Sequence, residues 1–521
     1  MGAGHNEVIA ALNQILGDHN IQIDDESRKL FGTDVFFQKM PPMAIVKPGT
    51  TQELAQSVKV VTDAGIAVVP RGGGLSYSAG YLTDRPDAVL FDSERLNRII
   101  EINTEDLYVQ LEAGVTWKQL HDSLRGTGLR TPYWGTASGK FATVGGTVSQ
   151  HSINYGSGVH GMVANHVLGL EVVLANGKIM RTGSWATSDN PSPFARYYGP
   201  DLTGLFLGDC GALGIKSQLV MQLIPAPVAT LFGAYDFDSV GSFVAALSEV
   251  GRQTLCSECY GFDPFYASAR LNDIGFKDDL KKLAGVVKTS GIKEAVKVAA
   301  AGRRYLRDTG YSLHFSIDGR DDADARSKLA LVEKIMLEHG GDAIPSSIVK
   351  VMRGTPFPPP EMMFGPNGDR WVPIHGIFPY SRLLQAIQEA DAYMDSQAED
   401  IEKYHIEWSY VVIPVGNSMA LIEPAFYWRD ERTSFHSRYL DASFLDSLKT
   451  YERSPEAHAV VDRMRTQLSN IYRSLGAVHM QIGRTYPFLE SREENTRDFL
   501  TDLKSLVDPN NLMNPGSLGL S

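Results

Sequence analysis

Within the first seventy residues the spacing of apolar positions changes twice, and each change predicts a new helix or strand. The run "AIVKP" (44–48) is short and apolar, which favours a buried strand. The stretch "TTQELAQSVKVVTDAG" (50–65) has a threonine cap, a carboxylate in its first turn, apolar residues at helical spacing and a final glycine, so it predicts a helix. The run "IAVVP" (66–70) predicts a second buried strand. This strand–helix–strand unit ends in the glycine loop "RGGG".

Further along, the pattern predicts mixed strands and helices. "HVLGLEVVLANGKIMRTG" (166–183) is typical of a hairpin with Asn176 and Gly177 in its turn. Residues 321–341 and 456–476 have the spacing of amphipathic helices, and residues 405–428 predict two strands. Prolines near Pro225–Pro227 indicate a domain boundary, so we divide the chain into residues 1–227, 228–460 and 461–521.

Composition narrows the functional classes. The 521 residues are too many for one core, so two domains are expected. The formal net charge of −12 disfavours nucleic acid or an anionic membrane surface as the main partner. The apolar runs are too short or interrupted for a membrane span, and the N-terminus lacks the pattern of a signal peptide. Of the three cysteines, Cys256 and Cys259 form one CxxC without the second pair that a zinc site needs. They are typical of reduced thiols in a cytoplasmic protein, and we expect no metal.

Glycine-rich loops carry the first chemical signal. Consecutive glycines after a buried strand let main-chain amides approach an anion closely. "TVGGTVSQHS" (143–152), "GDCGALGI" (208–215) and "NPG" (514–516) supply further loops of small residues. Neither a Walker A lysine nor a helix-opening GxGxxG is present. Several such loops beside strands favour a long cofactor with a diphosphate.

The order and wording of these loops resemble the vanillyl-alcohol oxidase and para-cresol methylhydroxylase family of FAD enzymes. The wider group includes D-2-hydroxy-acid dehydrogenases similar to glycolate oxidase. "PRGGGLSYSAG", "TVGGTVSQHS", "DLTGLFLGDCGALGI" and "LVDPNNLMNPGSLG" are similar to cofactor loops of this family. The resemblance implies that FAD is bound by Pro70, Arg71, Gly72, Gly73, Gly74, Leu75, Ser76, Thr143, Gly145, Gly146, Ser149, Ser152, Gly211, Gly214, Ile215 and Asn514.

The resemblance also implies an α+β fold with two domains. An FAD-binding domain would be built from residues 1–227 and the C-terminal segment 461–521, and an inserted cap domain, residues 228–460, would cover the flavin. Relatives that tether FAD use a histidine in the first glycine loop or a histidine or tyrosine in the cap. Leu75 takes the first place, and "RGTPFPPPEMMFGPNG" (353–368) contains no histidine, tyrosine or cysteine. We therefore expect non-covalent FAD.

The substrate side matches the family less closely. Phenol-oxidising relatives hold a phenolate with two tyrosines and an arginine. The arginine corresponds to Arg484, whereas the tyrosines fall at Gly483 and Leu75, with Tyr77 and Tyr486 nearby. Acidic residues are absent between Val144 and Leu170, so a histidine is the natural base there. The candidate catalytic residues are Arg484, His151, Tyr410, His479 and Glu423.

Three functions fit these observations. The first is oxidation of a small aromatic alcohol or of the alkyl side chain of a phenol, by hydride transfer to flavin N5, as in aromatic catabolism. The second is a D-2-hydroxy-acid dehydrogenase, because an arginine binds a carboxylate as readily as a phenolate. The third is a flavin-binding protein without redox turnover. The electron acceptor is left open between O₂, a quinone and a redox protein, and a homodimer is compatible with the resemblance.

Overall fold

Helices and three main sheets make up the protein. The computed structural model describes residues 3–266, 310–365 and 367–520. The prediction of a mixed α+β fold is confirmed, since helical layers pack on a largely antiparallel set of sheets.

The first sheet has four strands and carries the first glycine loop. Its strands are β1 (Ile21–Gln22), β2 (Ala44–Val46), β3 (Ala67–Arg71) and β4 (Ala88–Asp92), in the order β1-β2-β4-β3. Strands β2 and β3 both run parallel to β4. The intervening helix α3 (Thr51–Asp63) begins where the Thr50 side chain accepts from the Glu53 amide. The predicted strand–helix–strand unit is confirmed.

The second sheet is antiparallel and has five strands. They are β5 (Ile99–Asn103), β6 (Tyr108–Glu112), β8 (Val167–Val173), β9 (Ile179–Arg181) and β10 (Ile215–Gln222), in the order β5-β6-β10-β8-β9. The predicted hairpin is confirmed as β8 and β9, and Gly177 in its turn has a φ of 76°. Two short strands, β7 (Leu129–Arg130) and β11 (Ile224–Pro225), pair beside this sheet.

The third sheet has eight strands, all from residues 229–428. Its members are β12 (Ala229–Phe237), β13 (Glu258–Phe262), β14 (Tyr311–Gly319), β15 (Asp342–Ala343), β16 (Arg370–Pro373), β17 (Gly376–Pro379), β18 (Glu407–Val415) and β19 (Met419–Trp428). The order is β15-β12-β14-β13-β18-β19-β16, and β17 also pairs with β19. The two strands predicted within residues 405–428 are confirmed as β18 and β19.

The helices cover the sheets. Those of the first part are α1 (Ala3–Leu16), α2 (Asp25–Phe31), α3, α4 (Trp117–Leu124), α5 (Val144–Gln150), α6 (Ser157–His160) and α7 (Leu202–Leu205). Those around the third sheet are α8 (Val240–Arg252), α9 (Asp322–Glu338), α10 (Ser347–Gly354), α11 (Leu383–Asp395), α12 (Ala398–Tyr404), α13 (Ser434–Tyr439), α14 (Ala442–Ser447) and α15 (Pro455–Ser474). A final helix, α16 (Glu494–Val507), precedes the C-terminal tail. The predicted helices at 321–341 and 456–476 are confirmed as α9 and α15.

The two faces of the third sheet have different neighbours. Alternate residues such as Val412 and Ile422 pack in the same core as Leu247 of α8 and Ile387 of α11. The other face, which includes Ile413, packs with Ile153 and Met480 from the loops that belong to the first part and the C-terminal segment. This second face therefore looks toward the glycine loops.

The C-terminal tail returns to the first sheet. The Val68 amide donates to the Leu512 carbonyl at 2.7 Å, and the Asn514 amide donates to the Val68 carbonyl at 2.7 Å. Sheet membership changes between Pro225 and Ala229, where the predicted boundary lies. The division into residues 1–227, 228–460 and 461–521 stays a prediction.

Within the described ranges, no helix combines the length and the apolar character needed to cross a lipid bilayer.

Candidate functional site

A cavity lies where the glycine loops meet, and we call it the cradle. Its walls come from the loop after β3, the loop into α5, the turn before β10 and the segment at Gln481. The residues predicted to bind the cofactor line the cradle, except for Asn514. They are Pro70, Arg71, Gly72, Gly73, Gly74, Leu75, Ser76, Thr143, Gly145, Gly146, Ser149, Ser152, Gly211, Gly214 and Ile215.

Three successive carbonyls of the first loop accept hydrogen bonds from side-chain donors. The Gly72 carbonyl accepts from Arg71 Nη1 at 3.2 Å, and the Gly74 carbonyl accepts from the Tyr81 hydroxyl at 2.8 Å. Between them, the Gly73 carbonyl accepts from the Tyr439 hydroxyl at 2.8 Å. In a trans peptide the C=O and the next N–H point in opposite directions. The amides that follow these carbonyls are therefore turned away from the three donors and toward the cradle.

Among the described residues, no group accepts from the N–H of Gly73, Gly74 or Leu75. Gly74 is buried, and Gly73 and Leu75 are half-buried on the wall of the cradle. The three adjacent amides are therefore available to an acceptor bound in the cradle. A diphosphate provides such acceptors, since successive free amides form an anion-binding concavity.

The glycines also let the loops touch one another. A Cβ on Gly73 would lie 2.1 Å from the Phe141 carbonyl oxygen, and one on Gly72 would lie 2.4 Å from Thr143 Oγ1. Real Cβ atoms do not approach other atoms this closely, so the first and second loops could not meet with larger residues. Glycine is required here by contact between the loops as well as by the exposed amides.

The charged side chains of the cradle are paired. Arg71 Nη1 donates to Asp92 at 2.9 Å, and both side chains are almost fully buried. Lys216 Nζ forms a short ion pair with Asp209. Because each cation has its own carboxylate, the main-chain amides rather than free cations provide the positive potential for a phosphate.

His151 forms part of the cradle wall at the end of α5. Its φ of 61° is unusual for a residue with a side chain. Burial, with contributions from Lys216 and Arg196, lowers the pKa of His151 to about 4, so its imidazole is neutral at pH 7. Its buried Nδ1 has no partner among the described residues. The free amides and this nitrogen together fit a bound FAD.

Asn514 and Arg484 lie behind the cradle and brace its loops. Asn514 Nδ2 donates to the carbonyls of Gly80 at 2.9 Å and Cys210 at 2.6 Å. Arg484 donates to the Ala79 carbonyl at 2.8 Å and to Asn514 Oδ1 at 2.7 Å. These contacts join the first loop, the third loop and the tail. That Asn514 contacts FAD directly stays a prediction. That Arg484 contacts a substrate anion also stays a prediction.

A second group of polar side chains lies next to the cradle, and we call it the tyrosine–histidine cluster: Tyr77, His375, Glu423, His479 and Tyr486. The Tyr77 hydroxyl lies 2.7 Å from His375 Nε2, and Glu423 Oε2 lies 3.3 Å from the same nitrogen. His479 Nδ1 lies 2.6 Å from the His375 carbonyl oxygen, and its ring stacks on Tyr486 with centroids 4.2 Å apart. Four residues from three other segments of the chain thus converge on His375.

The cluster is joined to the cradle through Gln481. Gln481 lines the cradle, and its side chain lies close to the Tyr77 hydroxyl. The main-chain amide of Gln481 donates to the Gln150 carbonyl at 2.6 Å. One residue therefore contacts both the cofactor side and the polar cluster.

Tyr410 is placed elsewhere. Val411 is the cross-strand partner of Glu423, whereas Tyr410 pairs with Pro424. Since side chains alternate along a strand, Tyr410 and Glu423 lie on opposite faces of the third sheet. Tyr410 belongs to the helix-covered core and its hydroxyl interacts with Tyr311 and Asp391. The structure thus brings Glu423 and His479 together, places His151 in the cradle, and keeps Tyr410 apart from both groups; its catalytic role stays a prediction.

His375 and Gln481 have no local sequence signal that marks them as functional residues. His375 lies between β16 and β17, in the apolar run "WVPIHGIF", and its side chain is fully buried. A single histidine inside such a run is a weak signal, because buried histidines are common in cores. No group of three or more His, Cys, Asp or Glu side chains among the described residues is placed to hold a metal ion.

Comparison with known proteins identifies an FAD-binding domain and the type of fold. Residues 42–183 match the family described as FAD binding domain. Glycolate oxidase subunit GlcD of Bacillus subtilis is 31% identical over 234 residues, which are 44% of this chain and 48% of that protein. The aligned stretch thus spans about half the length of that relative.

Two solved structures match over the whole chain. The structure of p-cresol methylhydroxylase with substrate bound has a TM-score of 0.74 and 18% identity, and covers 100% of this chain and 98% of its own. The structure of 4-ethylphenol oxidase from Gulosibacter chungangensis has a TM-score of 0.73 and 16% identity, with the same coverage of both chains. At this level of identity the match shows the fold, and it confirms the predicted p-cresol methylhydroxylase type of fold.

Proposed function

The chain carries an FAD-binding domain on the fold of p-cresol methylhydroxylase, and from this premise we propose that it is an FAD-dependent oxidoreductase. Its substrate would be a small molecule that carries a hydroxyl group. This molecule would be either an aromatic alcohol or a phenol that is oxidised at its alkyl side chain. The observation that carries the proposal is the tyrosine–histidine cluster, joined to the cradle by Gln481. Bound FAD would accept a hydride from the substrate carbon. The residues of the cluster would orient the substrate and take its proton.

The hydrogen bonds around His375 favour one tautomer. The Tyr486 hydroxyl accepts from the His375 main-chain N–H at 2.8 Å, which leaves its own proton to donate to His375 Nδ1 at 3.3 Å. His375 Nε2 then carries the proton and donates toward Tyr77 and Glu423. In this arrangement the hydroxyl proton of Tyr77 is free to be donated to a substrate oxygen.

Burial favours neutral phenols in the cluster. It raises the pKa of Tyr77 well above its ordinary value, and Glu423 and Tyr486 add to the shift. Burial likewise lowers the pKa of His479 to about 4, so this ring is neutral at pH 7. Glu423 is half-buried, with 28% of its side chain accessible against none for His375. Glu423 is therefore placed to receive a proton, with His375 as its hydrogen-bonded partner.

The surroundings support a neutral, apolar substrate. Phe262, Val411 and Glu423 form one row across β13, β18 and β19 on the face that looks toward the cradle. Arg484 already binds main-chain and amide oxygens, and Arg465 pairs with Asp462 and stacks on Phe36. Both guanidiniums therefore already have oxygen partners, and of these two arginines Arg465 keeps a buried Nε without one. An aromatic alcohol or phenol thus fits this site better than a 2-hydroxy acid.

A D-2-hydroxy-acid dehydrogenase is the second candidate, and the sequence similarity to a glycolate oxidase subunit favours it. The two candidates separate in one experiment on the purified FAD-loaded protein. Under anaerobic conditions, aromatic alcohols and alkylphenols should bleach the oxidised flavin band, whereas D-lactate and glycolate should not. Bleaching by the hydroxy acids alone would replace the first candidate by the second. A flavin that no member of either panel reduces would favour a protein without redox turnover.

Non-covalent attachment of FAD is part of the proposal. Leu75 lines the cradle at the place where some relatives carry a histidine tether. Cys210 also lines the cradle, but burial raises the pKa of its thiol to about 11, which makes it a poor nucleophile at neutral pH. After acid precipitation the yellow colour should stay in the supernatant; colour in the pellet would contradict this. The acceptor, whether O₂, a quinone or a redox protein, and the homodimer remain to be tested by reoxidation rates and light scattering.

A further inference from the structure

We propose that Tyr439, which lies beyond the third sheet in sequence, is a positioning residue for the diphosphate of the cofactor. It is the last residue of α13, and the segment that carries it follows β19 with Glu423. Its ring lies behind the first glycine loop and outside the cradle lining. Tyr439 is thus the point at which the substrate-side part of the chain holds the cofactor loop.

The contacts of the Tyr439 hydroxyl are directed at the loop. The hydroxyl donates to the Gly73 carbonyl at 2.8 Å and accepts from Arg71 Nη2 at 2.5 Å. The other Arg71 nitrogen, Nη1, is held by Asp92. The hydroxyl therefore has one acceptor and one donor, both from the loop. Tyr439 is buried, with 6% of its surface exposed.

The orientation of the Gly73–Gly74 peptide depends on this contact. Arg71 and Tyr81 come from the loop or its immediate continuation, so their hydrogen bonds to Gly72 and Gly74 move with it. Tyr439 is the external anchor, 366 residues away in sequence. Holding the Gly73 carbonyl on Tyr439 keeps the Gly74 amide turned into the cradle. A ligand that accepts from this amide then binds a loop that is already arranged.

The packing around the ring supports a fixed position. The Tyr439 ring lies edge-on to Phe141 at 5.2 Å, and Phe141 is the residue whose carbonyl faces Gly73. Phe435, one turn earlier on α13, lies 4.8 Å from Tyr439. The first loop, the second loop and α13 therefore meet at this tyrosine. Ligand binding in the cradle and docking of α13 should stabilise each other, as linkage requires.

The test compares Tyr439→Phe with Tyr451→Phe, whose hydroxyl donates to the Asn367 carbonyl at 3.0 Å on an exposed part of the same region. Loss of one such hydrogen bond should weaken FAD binding by about threefold to tenfold in Tyr439→Phe. ADP, which has the diphosphate without the flavin, should lose the same factor, and riboflavin should lose nothing. Dissociation constants are measured by calorimetry on the apoprotein, and Tyr451→Phe should match the wild type.

Two results would overturn the assignment. One is unchanged binding of ADP and FAD by a folded Tyr439→Phe variant. The other is weaker riboflavin binding with unchanged ADP binding, which would place the effect at the flavin end. If the variant does not fold, hydrogen exchange on the wild-type protein decides. ADP should slow exchange in residues 434–440 and leave residues 398–404 of α12 unchanged, and no protection of 434–440 would reject the coupling. None of these readouts depends on the substrate.

Discussion

The cradle and the tyrosine–histidine cluster lie side by side but are built from different parts of the chain. The cradle offers main-chain amides, held in place because each carbonyl behind them is bound to a donor. The cluster offers side chains, and its central contact joins residues 298 positions apart. In the cradle a side chain would mostly block the approach of a ligand to the main-chain amides. In the cluster the side chains are the groups proposed to orient the substrate and transfer its proton. The substitutions that weaken cofactor binding should therefore differ from those that slow proton transfer.

The largest expected effect comes from His375→Gln. This change removes the group that joins Tyr77, Tyr486 and Glu423, so flavin reduction by the substrate should slow roughly 1,000-fold, within the range of general acid–base catalysis. The dissociation constant of FAD should not change, because His375 does not line the cradle. Anaerobic stopped-flow reduction with the substrate found in the panel measures the rate. The control is His19→Gln, on the exposed surface. Loss of bound FAD together with the rate would contradict the separation of the two regions.

A smaller effect, confined to the cofactor, is expected for Gly73→Ala. The added Cβ would lie 2.1 Å from a main-chain oxygen that cannot turn away. Overpacking of this kind costs about 1–3 kcal/mol, so we expect roughly 100-fold weaker FAD binding. Titration of the apoprotein with FAD measures it. Gly241→Ala on α8 is the matched control, since the nearest atom to its Cβ would be 3.9 Å away. A Gly73→Ala protein that retains FAD like the wild type would show that the loop relaxes freely.

The smallest of the three effects is expected for Arg484→Ala, and it distinguishes two roles of this residue. The guanidinium joins the first loop to the tail through Ala79, Asn514 and Pro515. Its loss should lower the free energy of unfolding by about 2 kcal/mol and weaken FAD binding roughly tenfold. The rate of flavin reduction per bound FAD should stay unchanged. Arg473→Ala, on the exposed end of α15, serves as the control.

The opposite outcome for Arg484→Ala would favour the other role. Unchanged FAD affinity with a slower reductive step would support Arg484 as the anchor of a substrate anion, as the family resemblance implies. That result would also weaken the argument for a neutral substrate, because a free guanidinium would then face the substrate.

The local parts of the fold could be predicted from the sequence. The unit from β2 through α3 to β3 follows from a threonine cap, apolar spacing and a terminal glycine, which act within a few residues of one another. The hairpin of β8 and β9 follows from the Asn176–Gly177 turn for the same reason. The glycine loops could also be predicted, because runs of glycine are seen directly in the sequence.

The reactive side of the site could not be predicted in the same way. Tyr410 and Glu423 were equal candidates until the pairing of β18 with β19 placed them on opposite faces of one sheet. His375 had no local signal, since its partners come from the first loop and from the C-terminal segment. Arg484 matched a family motif, yet its hydrogen-bond partners depend on where the tail returns.

The sequence by itself determined the α+β class, the main elements and the main-chain surface of the cradle, because these depend on short-range backbone preferences. Only the tertiary structure decided which side chains stand beside that surface. Strand pairing and the return of the tail bring together residues hundreds of positions apart, and such contacts leave no trace in local spacing.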